Sequence, residues 1–571
     1  MPVSSHAPRT AYEQLDQQVH ASLASASSSL SIASALLAAT DWALHLAVSP
    51  GKCAELGQLA LRQSCALARY TLESARGHAP APLASERRFA APEWQQWPFN
   101  TWHQAFLQTE QWWKAASSDV WGVSEHHQSQ VGFAARNLLD VYSPANQFWT
   151  NPEVLRATIE QGGCNLARGA CLALRDWQQA LAQRQTAPSG PHQQVGRDLA
   201  STPGKVVLRN DLIELLQYAP AGEQVYAEPV LLVPAWIMKY YILDLTAQSS
   251  LVRYLVERGH TVFCISWRNP GPAQSELDMD DYLEQGWFAA LGKVGDIMPG
   301  QRVHAGGYCL GGTLLAIAAA AMAREQDHRL ASLTLLTAQT DFTEPGELGL
   351  FIDDSQLGVL EAQMQQRGVL RAEQMAGAFQ LLRANDLLWS RMVRRYLLGE
   401  EEFPNDLMAW NADATRMPAR MHSQYLRRLF LDNDLAAGRY SVQGKPVALG
   451  DVALPAFMVA TQSDHVAPWR SVYKFHALSR GEITFVLCSG GHNTGIVSPP
   501  GSPHRQYQIH THAASAHHLS PDEWLAVARQ EQGSWWPAWQ SWLAARSGPR
   551  VAPPALAPAG ADAPGNYVME K

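Results

Sequence analysis

The first third of the chain carries its hydrophobic residues at helical spacing. Apolar side chains recur with this period over residues 151–181, after the helix start signal Thr150-Asn151-Pro152-Glu153. No strand-like alternation is evident up to about residue 195, and the polar stretch 183–196, rich in Gln, Pro and Gly, is typical of a linker. The pattern predicts a helical N-terminal domain over residues 1–195.

The pattern changes after residue 205, where short apolar runs alternate with helical segments. The runs that predict strands are residues 205–208, 212–218, 230–233, 261–266, 302–305, 333–336, 456–460 and 484–487, and helices are predicted at 249–258 and from Gly311. Continuous apolar strands that alternate with helices are typical of a mostly parallel sheet covered on both faces. Residues 196–547 are therefore predicted to form one α/β domain.

A mostly helical segment at about 341–438 interrupts this alternation. Its apolar residues include Leu348, Leu350, Phe351, Ile352, Leu357, Phe379, Leu381, Leu382 and Trp389. The simplest interpretation is an insertion that covers the mouth of a site as a cap, although the same residues also fit an ordinary small helical core. The Ala- and Pro-rich tail, residues 548–571, is expected to be poorly ordered.

Composition narrows the range of functions. The 571 residues are 46% hydrophobic and 17% charged, and 44 Lys and Arg against 52 Asp and Glu give a formal net charge of -8. The chain can bury large cores, and it lacks the basic excess of nucleic-acid-binding proteins. Its 7 cysteines include no CxxC pair, so neither a disulfide framework nor a zinc ribbon is indicated. Without a basic segment before the Ser-rich stretch 21–40, we expect a cytoplasmic protein with no signal peptide or transmembrane helix.

The sharpest signal of chemistry is the turn Gly307-Tyr308-Cys309-Leu310-Gly311, between a predicted strand and a predicted helix. A Gly-x-nucleophile-x-Gly turn needs glycines for its tight backbone, and it exposes the nucleophile at a helix N-terminus. Cys309 stands where hydrolases with this turn usually carry serine. A helix N-terminus favours the thiolate, and a thiolate suits thioester exchange. The alternative is a buried cysteine in a glycine-rich turn.

Two further candidates follow in the order nucleophile, acid, histidine that such folds use. Asp464 and His492 each come just after a predicted strand, where a doubly wound sheet places functional groups. We predict that Asp464 orients His492, which takes protons from Cys309 and from an attacking hydroxyl. For either residue alone, a helix-capping Asp or a surface His is the alternative. His465 is a rival base, ranked below His492.

An oxyanion hole needs two hydrogen-bond donors. One is the amide after the nucleophile, which is that of Leu310. The loop after the strand at 230–233 offers the amide of Trp236 or Ile237 as the second donor, and we predict Ile237.

The remaining histidines are interpreted as structural. His304 lies inside a predicted strand and is expected to be a packed core histidine. The cluster in the polar loop comprises His504, His510, His512, His517 and His518. It has no cysteine or acidic ligands at site-like spacing, so it predicts solvated surface and no metal. No nucleotide-binding loop occurs in a fitting context, and no cofactor is predicted.

Eight short sequence motifs occur in order along residues 130–542. They are YSPAN at 142–146, KYYILDL at 239–245, SWRNP at 266–270, YCLGG at 308–312, NDLLW at 385–389, WNADAT at 410–415, DHVAPW at 464–469 and GSWWP at 533–537. Together they resemble the polyhydroxyalkanoate synthases, bacterial enzymes that polymerise (R)-3-hydroxyacyl-CoA into storage polyester. The length and the helical N-terminal domain are similar to those of the single-subunit members.

This resemblance implies an α/β-hydrolase fold with a helical cap insertion, and a growing chain held on Cys309 as a thioester. It implies that Asp464 and His492 complete a triad, and that the cap takes part in access and dimerisation. The implied partners are the acyl-CoA substrate, which is the source of CoA, the growing polyester, the granule surface and a second copy in a homodimer.

The chain departs from the commoner family pattern at a few positions, and these bear on its acyl-chain preference. Met238 replaces Asn, Gly271 replaces Asp, Ala384 replaces Pro, and Asn493-Thr494 follows His492 where Ile is frequent.

Two other functions fit the same features. One is a cysteine-dependent α/β-hydrolase, such as an esterase or an intracellular polyester depolymerase, because the turn does not distinguish water from a hydroxyl as acceptor. The other is an inactive protein that binds the granule surface, which the intact set Cys309, Asp464 and His492 disfavours.

Overall fold

The computed structural model describes residues 10–27, 29–78, 80–183, 193–375, 377, 388–401, 405–556 and 560–571. The chain divides into two compact units. One comprises Met1–Ser29, His192–Ala376 and Pro404–Lys571, and the other comprises Leu30–Pro191 and Gly377–Phe403. The domain boundaries predicted at residues 195 and 547 stay predictions, and most of the predicted linker, 184–192, lies outside the described residues.

Helices build the second unit. They are α2 (Ile32–Ala47), α3 (Pro50–Ala75), α4 (Phe99–Ala116), α5 (Glu125–Val141), α6 (Pro152–Glu160) and α7 (Cys164–Gln183), after α1 (Ala11–Ala26) of the first unit. The start predicted at Asn151 is confirmed, since its side chain accepts from the N–H groups of Glu153 and Val154. The helical spacing over 151–181 corresponds to two helices, α6 and α7, because Gly162 and Gly163 take positive φ angles of 56° and 83° and end the first one.

A large sheet forms the core of the first unit. Its strands are β1 (Gly204–Arg209), β2 (Ile213–Tyr218), β4 (Val230–Val233), β5 (Val262–Trp267), β6 (Val303–Tyr308), β7 (Leu330–Leu336), β12 (Ala456–Thr461), β13 (Ile483–Cys488), β14 (Gln506–His512) and β15 (Arg529–Gln532). Shorter strands lie outside it: β3 (Val225–Tyr226), β8 (Val369–Leu370), β9 (Met417–Pro418), β10 (Ser441–Val442), β11 (Lys445–Pro446) and β16 (Arg550–Val551).

The described sheet has the order β1-β2-β5-β4-β6-β7-β12-β13-β14-β15. The pairs from β5 through β13 are parallel, while β1, β2, β14 and β15 pair antiparallel at the two edges. The parallel strands are buried along their whole length, which explains why they appear in the sequence as continuous apolar runs. The predicted strands are confirmed.

The first unit also contains helices, several of them within the insertion. They are α8 (Leu251–Glu257), α9 (Met279–Asp281), α10 (Ala289–Ile297), α11 (Leu310–Arg324), α12 (Asp354–Arg367) and, after the short α13 (Ser390–Met392) of the second unit, α14 (Asp406–Ala412), α15 (Ala419–Tyr425), α16 (Trp469–Tyr473), α17 (Phe475–Leu478), α18 (Pro521–Val527) and α19 (Trp536–Ala544). Helix α11 is apolar all round and buried from Leu310 to Met322. The apolar run at 314–323 is thus a core helix, as predicted.

The predicted cap is mostly helical where it is described. Leu357 on α12 is buried in the main core, and Leu348, Leu350, Phe351 and Ile352 are half-buried. Phe379, Leu381, Leu382, Ala384 and most of the 385–389 phrase lie outside the described residues.

Among the described residues, no single helix has both the length and the apolar composition needed to cross a membrane. The bent pair α2 and α3 passes that test only when the two helices are taken together, across a 91° bend.

The end of the chain is held in place over residues 560–571, so the expectation of poor order is wrong there. The Glu214 carboxylate on β2 is fully buried, and its Oε2 accepts the N–H groups of Asn566 at 2.8 Å and Tyr567 at 3.0 Å. Lys239 Nζ donates to the carbonyl of Glu570 at 2.7 Å. These bonds join residues that are more than 300 positions apart in the sequence, so composition alone could not indicate them.

We expect Glu214→Ala to lower the free energy of unfolding by about 3 kcal/mol, because it leaves the buried amide of Tyr567, the part-buried amide of Asn566 and the guanidinium of Arg209 without their carboxylate. Urea unfolding measures the loss, and proteolysis of residues 560–571 should quicken in parallel. The control is Glu257→Ala, on an exposed helix position, which should stay within about 0.5 kcal/mol of the native chain. Equal midpoints for the two variants would contradict the anchoring role of Glu214.

Candidate active site

Cys309 lies in a strained turn between β6 and α11. Its φ of 52° and ψ of -124° place a non-glycine residue in a conformation that costs energy and that clusters at functional sites. Its N–H donates to the carbonyl of Leu336 on the neighbouring strand β7 at 2.8 Å. The backbone is the strand, turn and helix that the glycine pattern predicts.

Two glycines make this turn possible. A Cβ on Gly311 would lie 2.0 Å from the carbonyl oxygen of Val233, and one on Gly307 would lie 2.4 Å from Cα of Gly312. Both distances are far inside van der Waals contact with backbone atoms that cannot move aside. Any larger residue at these positions would therefore push the nucleophile out of place.

The strand register brings Asp464 and His492 together. Strands β12 and β13 are parallel neighbours, and Thr461 pairs with Cys488 at their carboxyl ends. The loops that follow are therefore side by side, and His492 Nδ1 lies 2.9 Å from Asp464 Oδ2. The Asp464 side chain is wholly buried, and that of His492 is 11% exposed.

Asp464 is built to stay ionised. Its Oδ1 accepts the N–H groups of Val466 at 2.9 Å and Ala467 at 2.8 Å, and its Oδ2 accepts the hydroxyl of Thr461 at 3.1 Å. Burial by itself would raise the pKa of Asp464, but the charge and hydrogen bond of His492 and the two amides hold that pKa below its ordinary value. The carboxylate can therefore orient the imidazole and balance a positive charge on it.

His492 is bonded to Asp464, and it lies near enough to Cys309 for that side chain to affect its pKa. Burial opposes a charged ring, but Asp464 and Cys309 together raise the pKa of His492 well above its ordinary value. The structure thus brings Cys309, His492 and Asp464 close together. Such an arrangement can move the thiol proton to the imidazole while the carboxylate holds the ring.

The rival histidines are placed elsewhere. The carbonyl of His465 accepts the N–H of Glu347 at 2.9 Å, and the ring bonded to Asp464 is that of His492. His304 is a packed core histidine, as predicted, with Nδ1 2.7 Å from Ser332 Oγ. Burial lowers the pKa of His304 to about 4, so it is neutral in the fold.

The predicted polar loop of histidines is partly a strand. His510 and His512 lie on β14 and pair with Phe485 and Ile483 of β13, so the loop assignment is wrong for them. The residues of β14, second from this end of the sheet, are mostly half-buried and include polar side chains, so no apolar run marks the strand. Among the residues that the structure describes, no group of three or more His, Cys, Asp or Glu side chains is placed to hold a metal ion.

The loop after β4 lies beside the nucleophile turn, because Val233 pairs in parallel with Gly307. Trp236 and Ile237 are in this loop, and the carbonyl of Trp236 accepts the hydroxyl of Thr415 at 2.9 Å. The oxyanion donors Leu310 and Ile237 stay a prediction.

One residue of the cap was missed by the sequence analysis. Tyr425, at the end of α15, is buried, and burial together with the nearby Cys309 raises its pKa well above the ordinary value. Its ring meets that of Trp236 edge-on with centroids 6.4 Å apart. Helical spacing marks Tyr425 as a core residue, but no local signal shows that it faces the nucleophile.

The other cysteines differ from Cys309 in their surroundings. Cys264 on β5 and Cys488 on β13 are buried. Burial raises the pKa of Cys488 to about 12 and that of Cys264 well above its ordinary value. Neither thiol is suited to act as a nucleophile at neutral pH. Four exposed cysteines lie in the helical unit: Cys53, Cys65, Cys164 and Cys171.

Sequence profiles of known families match most of the chain. Residues 85–255 match the "Poly-beta-hydroxybutyrate polymerase (PhaC) N-terminus", and residues 10–52 match the "Poly-beta-hydroxybutyrate polymerase N terminal" family. Residues 228–499 match the "alpha/beta hydrolase fold", which confirms the predicted fold class.

Curated relatives cover nearly the whole chain. The "Poly(3-hydroxyalkanoate) polymerase" of Methylorubrum extorquens is 41% identical over 86% of this chain and 82% of its own length. The "Poly(3-hydroxyalkanoate) polymerase subunit PhaC" of Rhizobium etli is 39% identical, covering 88% and 80%. That of Cupriavidus necator is 36% identical, covering 92% and 89%. Among solved structures, the monoacylglycerol lipase of Paleococcus ferrophilus matches with 12% identity and a TM-score of 0.32, over 50% of this chain and 96% of that one.

Proposed function

Since this chain belongs to the poly(3-hydroxyalkanoate) polymerase family and is an acyltransferase, we propose that Cys309, His492 and Asp464 form its catalytic triad. The substrate class is (R)-3-hydroxyacyl-CoA, and the product is polyester with release of CoA. The observation that carries the proposal is the hydrogen bond between His492 and Asp464, in a site where Cys309 is near enough to raise the pKa of His492. CoA arrives as part of the substrate, so no separate cofactor enters the scheme.

In the first step, the Cys309 sulfur attacks the thioester carbonyl of the acyl-CoA. His492 holds the proton from the Cys309 thiol, and it returns that proton to the departing CoA sulfur. The C–S bond to CoA breaks as the bond to Cys309 forms, so the acyl group becomes a thioester on the enzyme. The amides of Leu310 and Ile237 would stabilise the negative oxygen of the tetrahedral intermediate.

In elongation, the 3-hydroxyl of an incoming acyl-CoA attacks the carbonyl of the chain on Cys309. His492 takes the hydroxyl proton, an ester bond forms, and Cys309 leaves with the electron pair of the broken thioester bond. His492 then gives the proton to the Cys309 sulfur. The lengthened chain, still on CoA, acylates Cys309 again and releases CoA.

One assay separates this function from its alternatives. Purified protein is given (R)-3-hydroxyacyl-CoAs of several lengths while CoA release and insoluble polymer are followed together. Both signals rising in proportion supports polymerisation and reports the acyl-chain preference. CoA release with free hydroxy acid and no polymer would favour the hydrolase, and adsorption to polyester without turnover would favour an inactive granule-binding protein.

The polyester granule is the proposed site of action. Large aromatic side chains are exposed on the helical unit, including Trp97 at 60%, Trp121 at 89%, Trp149 at 63% and Trp177 at 61%. Exposed aromatic surface of this kind suits adsorption to an apolar ester surface. The growing chain would thus stay close to the enzyme that extends it.

We further propose that the cap gates access to Cys309, and that a homodimer favours the open state. Cys309 is only partly exposed, and the cap residue Tyr425 lies near it. In this proposal, part of the cap moves to let acyl-CoA reach Cys309.

Gating predicts a lag in CoA release that shortens as protein concentration rises, because association of two copies populates the open state. A short acyl primer should also shorten the lag. Protease should cut residues 341–438 faster in the primed enzyme than in the resting one, with the cutting of residues 30–183 as the internal control. A lag-free time course at every concentration, with the same cutting pattern in both states, would leave the cap a passive structure.

A further inference from the structure

A hydrogen bond joins the residues next to Cys309 and His492. Tyr308 precedes the proposed nucleophile, Asn493 follows the proposed base, and the Tyr308 hydroxyl donates to Asn493 Oδ1 at 2.6 Å. Tyr308 is 2% exposed, and its ring centroid lies 5.7 Å from that of His492. The bond is part-buried and lies beside the proposed base.

The turn that carries His492 is closed mostly by its own backbone. The carbonyl of Asn493 accepts the N–H groups of Ile496 at 3.1 Å and Val497 at 2.9 Å, and that of Gly491 accepts the N–H of Gly495 at 2.8 Å. These bonds hold the shape of the turn, but they do not set its distance from the nucleophile loop. The bond between Tyr308 and Asn493 does connect the two loops.

The hydrogen bond to Asp464 does not by itself fix the orientation of the His492 imidazole. Its bond to Nδ1 holds one edge of the His492 ring, and the ring can still pivot about that contact. Proton transfer from a thiol depends steeply on the separation and alignment of the two groups. A second anchor at the next residue along the chain removes this freedom by holding the backbone of His492 against the nucleophile turn.

We propose that Tyr308 and Asn493 are positioning residues, whose hydrogen bond sets the placement of the His492 ring relative to Cys309. The inference rests on the proposed function, because it concerns the same nucleophile and base.

Tyr308 acts through this bond and does not itself move protons. Burial raises its pKa well above the ordinary value, and the nearby Cys309 and Asp464 add to the effect. The hydroxyl thus keeps its proton and stays a donor across the working pH range. Its effect on catalysis is therefore exerted through the position of His492.

The test uses Tyr308→Phe, Asn493→Ile and the double variant in the full chain. Each single change should lower kcat about tenfold, with KM within about twofold of the native value, since only alignment is lost. The double variant should be no slower than either single one, because both changes remove the same bond. Additive losses, or native kcat in either single variant, would overturn the proposal.

Tyr473→Phe is the matched control. It also removes one hydroxyl from an aromatic ring in this unit, but that hydroxyl donates to the carbonyl of Leu519 at 2.9 Å and bonds none of the triad residues. We expect native kcat for this variant. If Tyr473→Phe lowered kcat as much as Tyr308→Phe, the effect would be a general one of removing a tyrosine hydroxyl, and the positioning role would be refuted.

A second measurement follows the alkylation of Cys309 by iodoacetamide against pH, read on the peptide that contains it. It requires no turnover, and it uses folded protein as judged by circular dichroism. We expect the rise in alkylation rate to move to higher pH in Tyr308→Phe and in Asn493→Ile, toward the profile of His492→Gln. If His492→Gln itself keeps the native profile and turnover, the proposed function fails. If only Tyr308→Phe and Asn493→Ile keep both, the positioning role alone fails.

Discussion

Cys309→Ala should form no polymer and should release CoA at least about 10³-fold more slowly than the native enzyme, because the acyl group then has no sulfur to attach to. The fold should persist, since the side chain is small and partly exposed. In one preparation, CoA release measures turnover, insoluble material measures polymer formation, and labelling by radioactive acyl-CoA measures attachment of the acyl group to the enzyme.

Cys309→Ser sharpens this test. A serine hydroxyl keeps the shape of the side chain, but it gives up its proton far less readily than a thiol and makes an oxygen ester that exchanges poorly. We therefore expect severe impairment with an unchanged fold. Cys264→Ala and Cys488→Ala are the matched controls, because both remove a buried thiol outside the proposed triad and should affect stability at most. Polymer formation at the native rate by Cys309→Ala would remove this cysteine from the mechanism.

The second large effect is expected at His492 and Asp464. His492→Gln should block both acylation and elongation, since each step needs the imidazole to accept a proton, and we expect a loss of about 10³-fold or more. Asp464→Asn should still become acylated but should elongate poorly, because deprotonating a hydroxyl depends more on a well-oriented base than deprotonating a thiol does.

Single-turnover acylation and steady-state polymer growth separate the two steps. His465→Gln is the control, as this histidine neighbours Asp464 in sequence while the ring bonded to the carboxylate is that of His492. Normal elongation by Asp464→Asn, combined with loss of activity in His465→Gln, would reverse the assignment of acid and base.

Local pattern was enough for the central sheet and for the candidate site residues. The run Val230–Val233 was predicted with its observed bounds, because a strand buried on both faces must be apolar throughout. The turn around Cys309 was visible because its close backbone contacts admit only glycine at Gly307 and Gly311. Asp464 and His492 were found because parallel strands place the loops at their carboxyl ends together. Their roles in catalysis, and those of Leu310 and Ile237, stay predictions.

Other features depend on contacts between residues far apart in the sequence. The break at Gly162 and Gly163 was missed because apolar spacing continues on both sides of it. The histidines on β14 were assigned to a loop because a strand whose residues are only half-buried needs no apolar run. The docking of residues 560–571 depends on one buried carboxylate, Glu214, whose partners come from the other end of the unit.

By itself, then, the sequence determined the fold class, the parallel core and the identity of the nucleophile, base and acid candidates. These features follow from burial and backbone sterics, which restrict the residue types allowed at each position. Only the tertiary structure decided that Tyr425 lies near Cys309 and that the hydroxyl of Tyr308 bonds Asn493. The residues in each pair are far apart in the chain, so neither hydrophobic periodicity nor composition indicates the contact. The order of the strands and the packing of helices and loops around them set those contacts, and both are properties of the assembled fold.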